Sequence, residues 1–402
     1  MKTVLFLGAG RHQRAAILHA KELGLRVAAI DGNPNALALG DADIAEVVNF
    51  VDIPSAIAFA EKIRPDGVLT ITSDRAVVAV AAVAEALGLA GIGVDVATGL
   101  THKLEMRRRI EAAGLPQPRF GSARTIDEAR ETVAHVGFPN VIKPVDSGGQ
   151  RGVFRLENVD DLEARFDATL ALSHRGEVIV EQFVDGVEMN AMAVVRDGAV
   201  MQLTLSDRLR PPGEGFAVGW IHAYPAALDD ERTAEAEALV ERTVHALGLR
   251  NGIAFPQLIA DVDGSIKVIE VAARIPGGQM ADLVQHAVGV DLVEVALRFA
   301  LGEPVTDSIA APKQRQAVAI RFFTAEPGPL PAGKVKAPAS LARVLAAPGV
   351  VQAASYIVAG ETIRPVKVDG DRRGYVIAVG ATGPEALERA EAAARLIDVE
   401  VE

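Results

Sequence analysis

The sequence has 402 residues, of which 50% are hydrophobic, a length that predicts roughly two to four domains with buried cores. Its net charge of −12 comes without a basic tract and only 4% of its residues are aromatic, so we expect no nucleic-acid partner. The sequence contains no cysteine, which excludes disulfides, cysteine-ligated metals and a thiolate nucleophile.

The apolar stretches of the sequence are short. One of the longest, residues 76–84, ends at a charged residue, far below the ~20 residues of a membrane-spanning helix. Gly8, Gly10 and Arg11 interrupt the first stretch before it reaches the length of a signal-peptide core. We therefore expect a cytoplasmic protein with no membrane partner.

The first part of the sequence alternates short apolar runs with helical patterns. A strand that ends before Gly8 leads into a helix, and further strands are predicted at residues 26–30, 47–51 and 67–71. This alternation predicts a parallel sheet covered by helices, which forms a Rossmann-like domain over residues 1–95.

Gly8 and Gly10, with Asp31 after the second strand, form part of a dinucleotide-binding pattern. Gln13 replaces the third glycine, which such a site needs for close packing of helix on strand. The pattern therefore favours a structural turn, with a dinucleotide-dependent oxidoreductase as an alternative function.

Three α+β units are predicted after this domain: residues 96–186, which open with a charged helix, residues 187–305, and a small unit over residues 306–402. The predicted helices cover residues 100–115, 126–136, 160–171, 230–247, 283–301 and 384–396. The predicted strands include residues 140–143, 178–184, 317–323 and 375–380, with a hairpin turning at residues 263–264.

Lys143 stands at the end of a predicted strand and precedes Ser147, Gly148, Gly149 and Gly152. Glycines at such a place let backbone N–H groups surround phosphate oxygens, while a lysine adds positive charge. The segment differs from a Walker A loop, and taken alone it could equally form a hairpin turn.

Glu270, Ala272 and Arg274 alternate along a predicted strand and therefore face one side of it. A carboxylate and a guanidinium at this spacing commonly form a surface ion pair. They also supply an oxygen ligand for Mg²⁺ and a cation for a transferred phosphoryl group. We expect Lys143 and Arg274 to face an open cleft.

Taken in chain order, these motifs resemble those of the ATP-grasp superfamily over essentially the whole chain. Lys103 with residues 113–118 resembles the entry motif of the family, and Lys143 with residues 147–153 its second nucleotide lysine and phosphate-covering loop. Residues 181–186, which include Glu181 and Val184, resemble the adenine hinge, Glu188 the ribose-binding acid, and Glu270 with Arg274 the magnesium and catalytic strand.

The resemblance implies an ATP-grasp fold of α/β and α+β parts, with the Rossmann-like domain first and a small α+β domain last. It implies ATP and Mg²⁺ as cofactors. Lys103 and Lys143 would neutralise the phosphates, and Glu270 would bind the metal.

Three more residues are implied at the reacting centre. Arg274 would stabilise the transferred group, and the backbone N–H groups of Gly277 and Gly278 would face the same oxyanion.

Residues 274–280, 288–294 and 319–323 resemble L-amino-acid ligases and related carboxylate–amine ligases. The implied activity is ATP-dependent formation of an amide or peptide bond through an acylphosphate. The substrates would be a small carboxylate and a small amine, both amino-acid-like. We expect a homodimer, as is common for large α/β ligases.

Two positions depart from the family pattern. Gln257 stands where the family has an acid, and Ala272 stands where it has an asparagine. Because Mg²⁺ keeps waters and substrate phosphates as ligands, Glu270 and Gln257 with ATP could still suffice. The alternative is a nucleotide-binding relic or regulator with an impaired metal site.

Substrate contacts are expected from the proline-bounded basic loop over residues 206–213 and from the tryptophan that follows it. Arg208 and Arg210 could bind a carboxylate, with Trp220 and His222 beside them. The alternative is a solvated loop and a core tryptophan.

Overall fold

The computed structural model describes residues 1–211 and 218–402. Pro212 and Gly213 of the predicted basic loop therefore lie outside the described residues. No helix in this described part of the chain is long and apolar enough to span a bilayer.

The N-terminal part is a four-stranded parallel sheet flanked by helices, as predicted. Its elements are β1 (Thr3–Leu7), α1 (Arg14–Glu22), β2 (Arg26–Asp31), β3 (Ile44–Val47), α2 (Ile53–Ile63), β4 (Gly67–Leu69) and α3 (Asp74–Leu87). The prediction of a strand over residues 47–51 was wrong, because the chain turns at Asn49, whose side chain accepts a hydrogen bond from the Val51 N–H.

The next part is a four-stranded antiparallel sheet in the order β5-β8-β6-β7, with two helices packed on it. Its elements, with the two helices that precede them, are α4 (Val94–Thr101), α5 (Lys103–Ala112), β5 (Phe120–Ala123), α6 (Ile126–Val136), β6 (Asn140–Pro144), β7 (Phe154–Leu156), α7 (Val159–Leu170) and β8 (Val178–Gln182). The single helix predicted over residues 100–115 is divided at His102, whose ring nitrogen caps α5 by accepting the Glu105 N–H.

The rest of the chain forms an eight-stranded antiparallel sheet in the order β13-β12-β9-β10-β11-β14-β18-β16, with helices on its faces, and a separate two-stranded sheet of β15 and β17. The elements are β9 (Gly186–Arg196), β10 (Ala199–Leu209), β11 (Ile221–Tyr224), α8 (Asp230–Ala246), β12 (Gly252–Asp261), β13 (Ile266–Ala272), α9 (Met280–Val288), α10 (Leu292–Ala300), α11 (Asp307–Ala310), β14 (Ala317–Phe322), β15 (Gly333–Lys334), α12 (Ala342–Leu345), β16 (Val350–Ser355), β17 (Thr362–Ile363), β18 (Gly374–Gly380) and α13 (Gly383–Ala394). Strands from both sides of residue 305 thus share a sheet, and the four-domain division stays a prediction.

The helix predicted over residues 283–301 was wrong, because the chain forms α9 and α10 there. Gly289 ends α9 in the left-handed conformation, with a φ of 73°. Asp291 then caps α10 by accepting the N–H groups of Val293 and Glu294. The sequence Gly-Val-Asp carries both signals, which divide the apolar pattern into two helices.

One hydrophobic core joins the N-terminal sheet to the large sheet. Phe6 and Ile17 of the first domain belong to the same buried cluster as Val284, Leu297 and Val318. This shared core holds the loops of the N-terminal domain in place beside β13, where the candidate site lies.

Candidate active site

A cavity of about 460 Å³ lies where the antiparallel sheets meet the N-terminal domain. It brings together predicted residues that lie far apart in the sequence. Those in its wall are Lys103, Lys143, Ser147, Gly148, Gly149, Glu181, Val184, Glu188, Arg208, Arg210, His222, Gln257, Glu270, Arg274, Gly277 and Gly278.

Two predicted residues lie outside this wall. Gly152 has a φ of 72°, and a Cβ there would lie 2.8 Å from Leu172 Cδ1. The backbone turn therefore requires glycine at this position. Trp220 donates its indole N–H to Thr324 Oγ1 at 3.1 Å and stacks against Arg321, 4.1 Å from its ring centroid. This placement fits the alternative of a packed tryptophan.

Lys143 and Glu181 form a buried ion pair at the base of the cavity, with 2.6 Å between Nζ and Oε2. Arg107, which is 1% exposed, donates Nε–H to the other Glu181 oxygen at 2.8 Å. Burial opposes ionisation of Glu181, but Arg107 and Lys143 outweigh it and lower its pKa to about 2. Lys143 lines the cavity but is only 7% exposed, so its position is more enclosed than the open cleft expected from the sequence.

Arg107 also ties the two sheets together. Its guanidinium donates to the backbone oxygens of Val268 at 2.8 Å and Ile269 at 2.6 Å, both on β13. The sequence analysis missed this residue. Its spacing from Leu104 and Ile110, one helical turn on either side, places it on the buried face of α5 and could have identified it.

Lys103 connects the glycine-rich segment to the catalytic strand predicted from the sequence. Its Nζ donates to the Ser147 backbone oxygen at 2.7 Å and lies 3.6 Å from Glu270 Oε1. The ammonium group is thus held between the loop expected to cover the phosphates and the carboxylate expected to bind metal.

Glu270 and Gln257 are opposite each other in the β12–β13 hairpin. Gln257 Nε2 donates to Asn190 Oδ1 at 3.2 Å, and its Oε1 accepts no hydrogen bond from residues 1–211 or 218–402. Ala272 adds no donor atom, and the described residues hold no group of three or more histidines and acids that could bind a metal. The two oxygen donors fit Mg²⁺, which commonly takes one or two carboxylates and fills its octahedron with waters and substrate phosphates.

Arg274 forms a two-point ion pair with Asp74 of the N-terminal domain, at 2.7 Å between Nε and Oδ1 and 2.6 Å between Nη2 and Oδ2. The sequence analysis missed Asp74. It also missed polar residues that line the cavity from the N-terminal domain, the large sheet and the C-terminal part, among them His12, Thr72, Asn190, Asp369 and Arg372. No local spacing connects them, because they meet only through tertiary packing.

The predicted substrate residues form a second charged group in the wall. Glu188 is paired with Arg208 and lies 3.5 Å from Arg210 Nε. Burial lowers the pKa of His222 well below its ordinary value, and Arg208 and Arg372 add to the shift. His222 is therefore neutral at pH 7.

The dinucleotide pattern is used by the fold itself. Asp31 accepts the backbone N–H groups of Ala9 at 2.9 Å and Asn33 at 2.8 Å. Gln13 is 8% exposed and donates to the Ile71 backbone oxygen at 2.9 Å. Both side chains thus stabilise the backbone around the glycine turn, which agrees with the interpretation of this pattern as a structural turn.

Two family models match the chain. Residues 102–308 match the ATP-binding domain of the carbamoyl-phosphate synthase L chain, and residues 321–402 match C-terminal domain 2 of L-amino acid ligase.

Related proteins cover different shares of the chain. An uncharacterized protein of Sinorhizobium fredii is 31% identical over 304 residues, which are 74% of this chain and 60% of that protein's length. A formate-dependent phosphoribosylglycinamide formyltransferase of Synechococcus is 26% identical over 407 residues, which cover 99% of this chain and 98% of the relative.

Solved structures share the fold. L-amino acid ligase from Bacillus licheniformis superposes with a TM-score of 0.84 at 22% identity, over 100% of this chain and 99% of that one. Phosphoribosylglycinamide synthetase from Anaerococcus prevotii gives a TM-score of 0.79 at 22% identity, over 100% of both chains. The ATP-grasp fold expected from the motifs is confirmed.

The fold and the cavity define an ATP-grasp enzyme, a class whose members use ATP and Mg²⁺. The chain belongs to the family of the carbamoyl-phosphate synthase L chain ATP-binding domain. The relatives and structural neighbours of the chain are ATP-dependent, ADP-forming ligases or transferases.

Proposed function

We propose that this protein joins a small carboxylate to a small amine, both amino-acid-like, through an acylphosphate. The observation that supports the proposal is the convergence of Lys103, Lys143, Glu270 and Arg274 on one cavity beside the glycine-rich segment. These residues provide two cations for phosphates, a metal ligand and a cation for the transferred group.

The reaction has two displacements. A carboxylate oxygen of the acid attacks the γ-phosphorus of ATP, the bond to the β–γ bridging oxygen breaks, and ADP leaves. The amine nitrogen then attacks the acyl carbon, phosphate leaves, and the nitrogen loses a proton as the amide forms. No protein nucleophile is needed, in keeping with the absence of cysteine.

The side chains of the cavity orient and stabilise the reacting groups. Lys103 and Lys143 bind phosphate oxygens, and Arg274 faces the transferred phosphoryl group. The backbone N–H groups of Gly277 and Gly278 donate hydrogen bonds to the negatively charged oxygen of the same group. Magnesium at Glu270 and Gln257 supplies neutralisation of phosphate charge when bound.

The substrates meet the same wall. Arg208 and Arg210 offer guanidinium groups to a carboxylate, and neutral His222 offers a ring nitrogen for hydrogen bonding. A cytoplasmic location and a homodimer stay predictions from the sequence.

A second candidate is a nucleotide-binding regulator without turnover. The observation that favours it is the predicted metal site, where Glu270 is the only carboxylate of the Glu270–Gln257 pair, and Gln257 and Ala272 replace groups typical of the family. In that case the protein would bind MgATP tightly and release no ADP.

ADP release in a coupled assay tests the proposal. With MgATP and a panel of amino acids and short-chain acids, we expect sustained ADP release over many turnovers only when an acid and an amine are both present. Arg274→Ala should lower the rate at least about 100-fold, the typical effect of removing one oxyanion donor. Arg14→Ala is the control, because Arg14 forms a similar two-point pair with Asp41 on the exposed surface. Nucleotide binding without turnover across the panel would favour the regulator.

A further inference from the structure

We propose that Asp74 is a positioning residue that fixes the guanidinium of Arg274 for catalysis. The two residues are 200 positions apart and belong to different domains, yet both Asp74 oxygens accept from Arg274. The inference rests on the proposed function, because it concerns the orientation of the group that faces the transferred phosphoryl.

The pair uses only part of the hydrogen-bonding capacity of Arg274. A guanidinium has five N–H donors in one plane. Nε and Nη2 each donate to Asp74, and Nη1 donates to the Ile275 backbone oxygen at 3.3 Å. Among residues 1–211 and 218–402, one N–H on Nη1 and one on Nη2 therefore have no acceptor and can bind an anion in the cavity, and Asp74 sets the plane in which they lie.

The backbone also fixes the position of Asp74. The Thr72 N–H donates to the same Ile275 oxygen at 2.8 Å, so the segment before Asp74 lies beside the segment after Arg274. Thr72 has a φ of 59°, a left-handed conformation that a β-branched residue rarely adopts. Gln13 holds it there through bonds to the Ile71 backbone oxygen and the Thr72 hydroxyl.

The glycine-rich segment packs against the same carboxylate. A Cβ on Gly148 would lie 3.0 Å from Asp74 Oδ2, so a side chain at this position would press on the ion pair. Asp74 thus contacts both Arg274 and the loop expected to cover the phosphates.

Burial makes the pair more than a surface contact. The Arg274 side chain is 10% exposed and the Asp74 side chain 26% exposed. Solvent screens such a pair less than an exposed one, so its orientation is held more firmly.

Asp74→Asn tests the inference, because a positioning role predicts a large effect on kcat and a small effect on the KM for ATP. The amide removes the negative charge and one of the two acceptors, so we expect kcat to fall roughly 10- to 100-fold, as when a reacting group is misplaced. The KM for ATP should change less than about threefold, because Lys103 and Lys143 are untouched. Asp74→Glu keeps the carboxylate and should retain more activity than Asp74→Asn.

Asp41→Asn is the matched control. Asp41 also pairs through both oxygens with one arginine, Arg14, but on the exposed surface of the N-terminal domain. Its kcat should equal that of the wild type. An Asp74→Asn enzyme with wild-type kcat, or with a raised KM for the amine alone, would overturn the positioning role.

A double-mutant cycle with Arg274→Lys adds a test that stays informative even if every variant loses activity. Lysine keeps the charge but lacks the planar fork. If Asp74 acts through Arg274, the double variant should lose no more than the worse single variant. Multiplicative losses would mean that the two residues act independently, which contradicts the inference.

A readout without turnover separates this inference from the proposed function. In protein labelled with ¹⁵N-arginine, the Arg274 Nε–H, identified by its absence in Arg274→Lys, should exchange slowly with water and become fast in Asp74→Asn. An unchanged exchange rate overturns the positioning role. Failure of the wild type to release ADP would instead count against the proposed ligase.

Discussion

Lys143 Nζ lies 2.6 Å from Glu181 Oε2, and neither side chain is more than 9% exposed. Arg107 occupies the other oxygen of the same carboxylate. Two buried cations therefore share one buried anion at the base of the cavity. Removing one of these charges would leave the others buried without compensation, which lowers the free energy of unfolding. The stability of each buried charge therefore depends on the other two.

Glu181→Gln should destabilise the protein strongly. The substitution leaves Lys143 and Arg107 buried without an anion, and breaking a buried pair typically costs about 3–5 kcal/mol. Urea unfolding followed by fluorescence or circular dichroism would measure the change in the free energy of unfolding.

Glu46→Gln is the control for this substitution. Glu46 pairs with Lys62 at 2.9 Å, but both side chains are exposed. We expect a change below about 1 kcal/mol. Equal effects of the two substitutions would show that burial does not strengthen the Glu181 pair.

The Glu181 carboxyl should also make the protein sensitive to acid. Its folded pKa is about 2, below the ordinary 4.5, because Arg107 and Lys143 outweigh the effect of burial. A depressed folded pKa stabilises the native state fully above the unfolded pKa, and this contribution is lost as the pH falls through the folded pKa. We expect the loss between about pH 4.5 and pH 2.

The difference between wild type and Glu181→Gln isolates this contribution. Asp41 and Asp43 also have lowered pKa values, but they are present in both proteins and cancel. The stability difference measured by urea unfolding should therefore shrink as the pH falls from 5 toward 2. A difference that stays constant with pH would contradict the assignment of this pKa.

Sequence patterns predicted the parts of the site that local rules govern. Lys143 is the fourth residue of β6, and Gly148 and Gly149 follow in the turn. Glu270 and Gln257 lie on either side of the predicted hairpin turn at residues 263–264, and the strand register pairs them across it. Strand alternation and turn glycines carry this information in a few neighbouring residues.

The rest of the site depends on contacts that no local pattern encodes. Asp74 is the first residue of α3. From the sequence it is indistinguishable from the acidic residues that commonly stabilise the first turn of a helix. Its partner Arg274 comes 200 residues later, and only the shared core of the N-terminal and large sheets brings them together. The position of such pairs is a property of packing.

ATP, and not NADH, should stabilise the protein against heat. The oxidoreductase alternative requires Asp31 to bind a ribose, but both of its oxygens already accept backbone N–H groups. A ligand that binds only the native state raises the melting temperature, and the shift grows with the ratio of ligand concentration to Kd. We expect a shift with MgATP or MgADP in differential scanning fluorimetry and none with NADH.

Lys143→Met tests whether any nucleotide shift comes from the cavity. The substitution removes the ammonium and keeps much of the side-chain volume, and it should reduce the shift with MgADP. Lys62→Met, in the exposed pair with Glu46, should leave the shift unchanged. A shift with NADH in the wild type would restore the oxidoreductase.

Gln257→Glu should strengthen magnesium binding. The new carboxylate lies across the hairpin from Glu270 and adds a second negative ligand. The Mg²⁺ concentration needed for half-saturation should therefore fall roughly tenfold. Asn190 can accommodate the change by turning its amide, so that its NH₂ donates to the new carboxylate and its oxygen accepts from His222. The affinity for MgADP at stepped Mg²⁺ concentrations, measured by calorimetry, gives the half-saturation point.

A charge swap across the hairpin shows whether the metal lies between these two residues. Glu270→Gln alone removes the carboxylate of the Glu270–Gln257 pair and should raise the half-saturating Mg²⁺ concentration by about tenfold or more. Adding Gln257→Glu to that variant restores one carboxylate on the opposite strand and should recover most of the loss. If the double variant binds Mg²⁺ as weakly as Glu270→Gln, the metal contacts Glu270 alone and the hairpin is not a shared site.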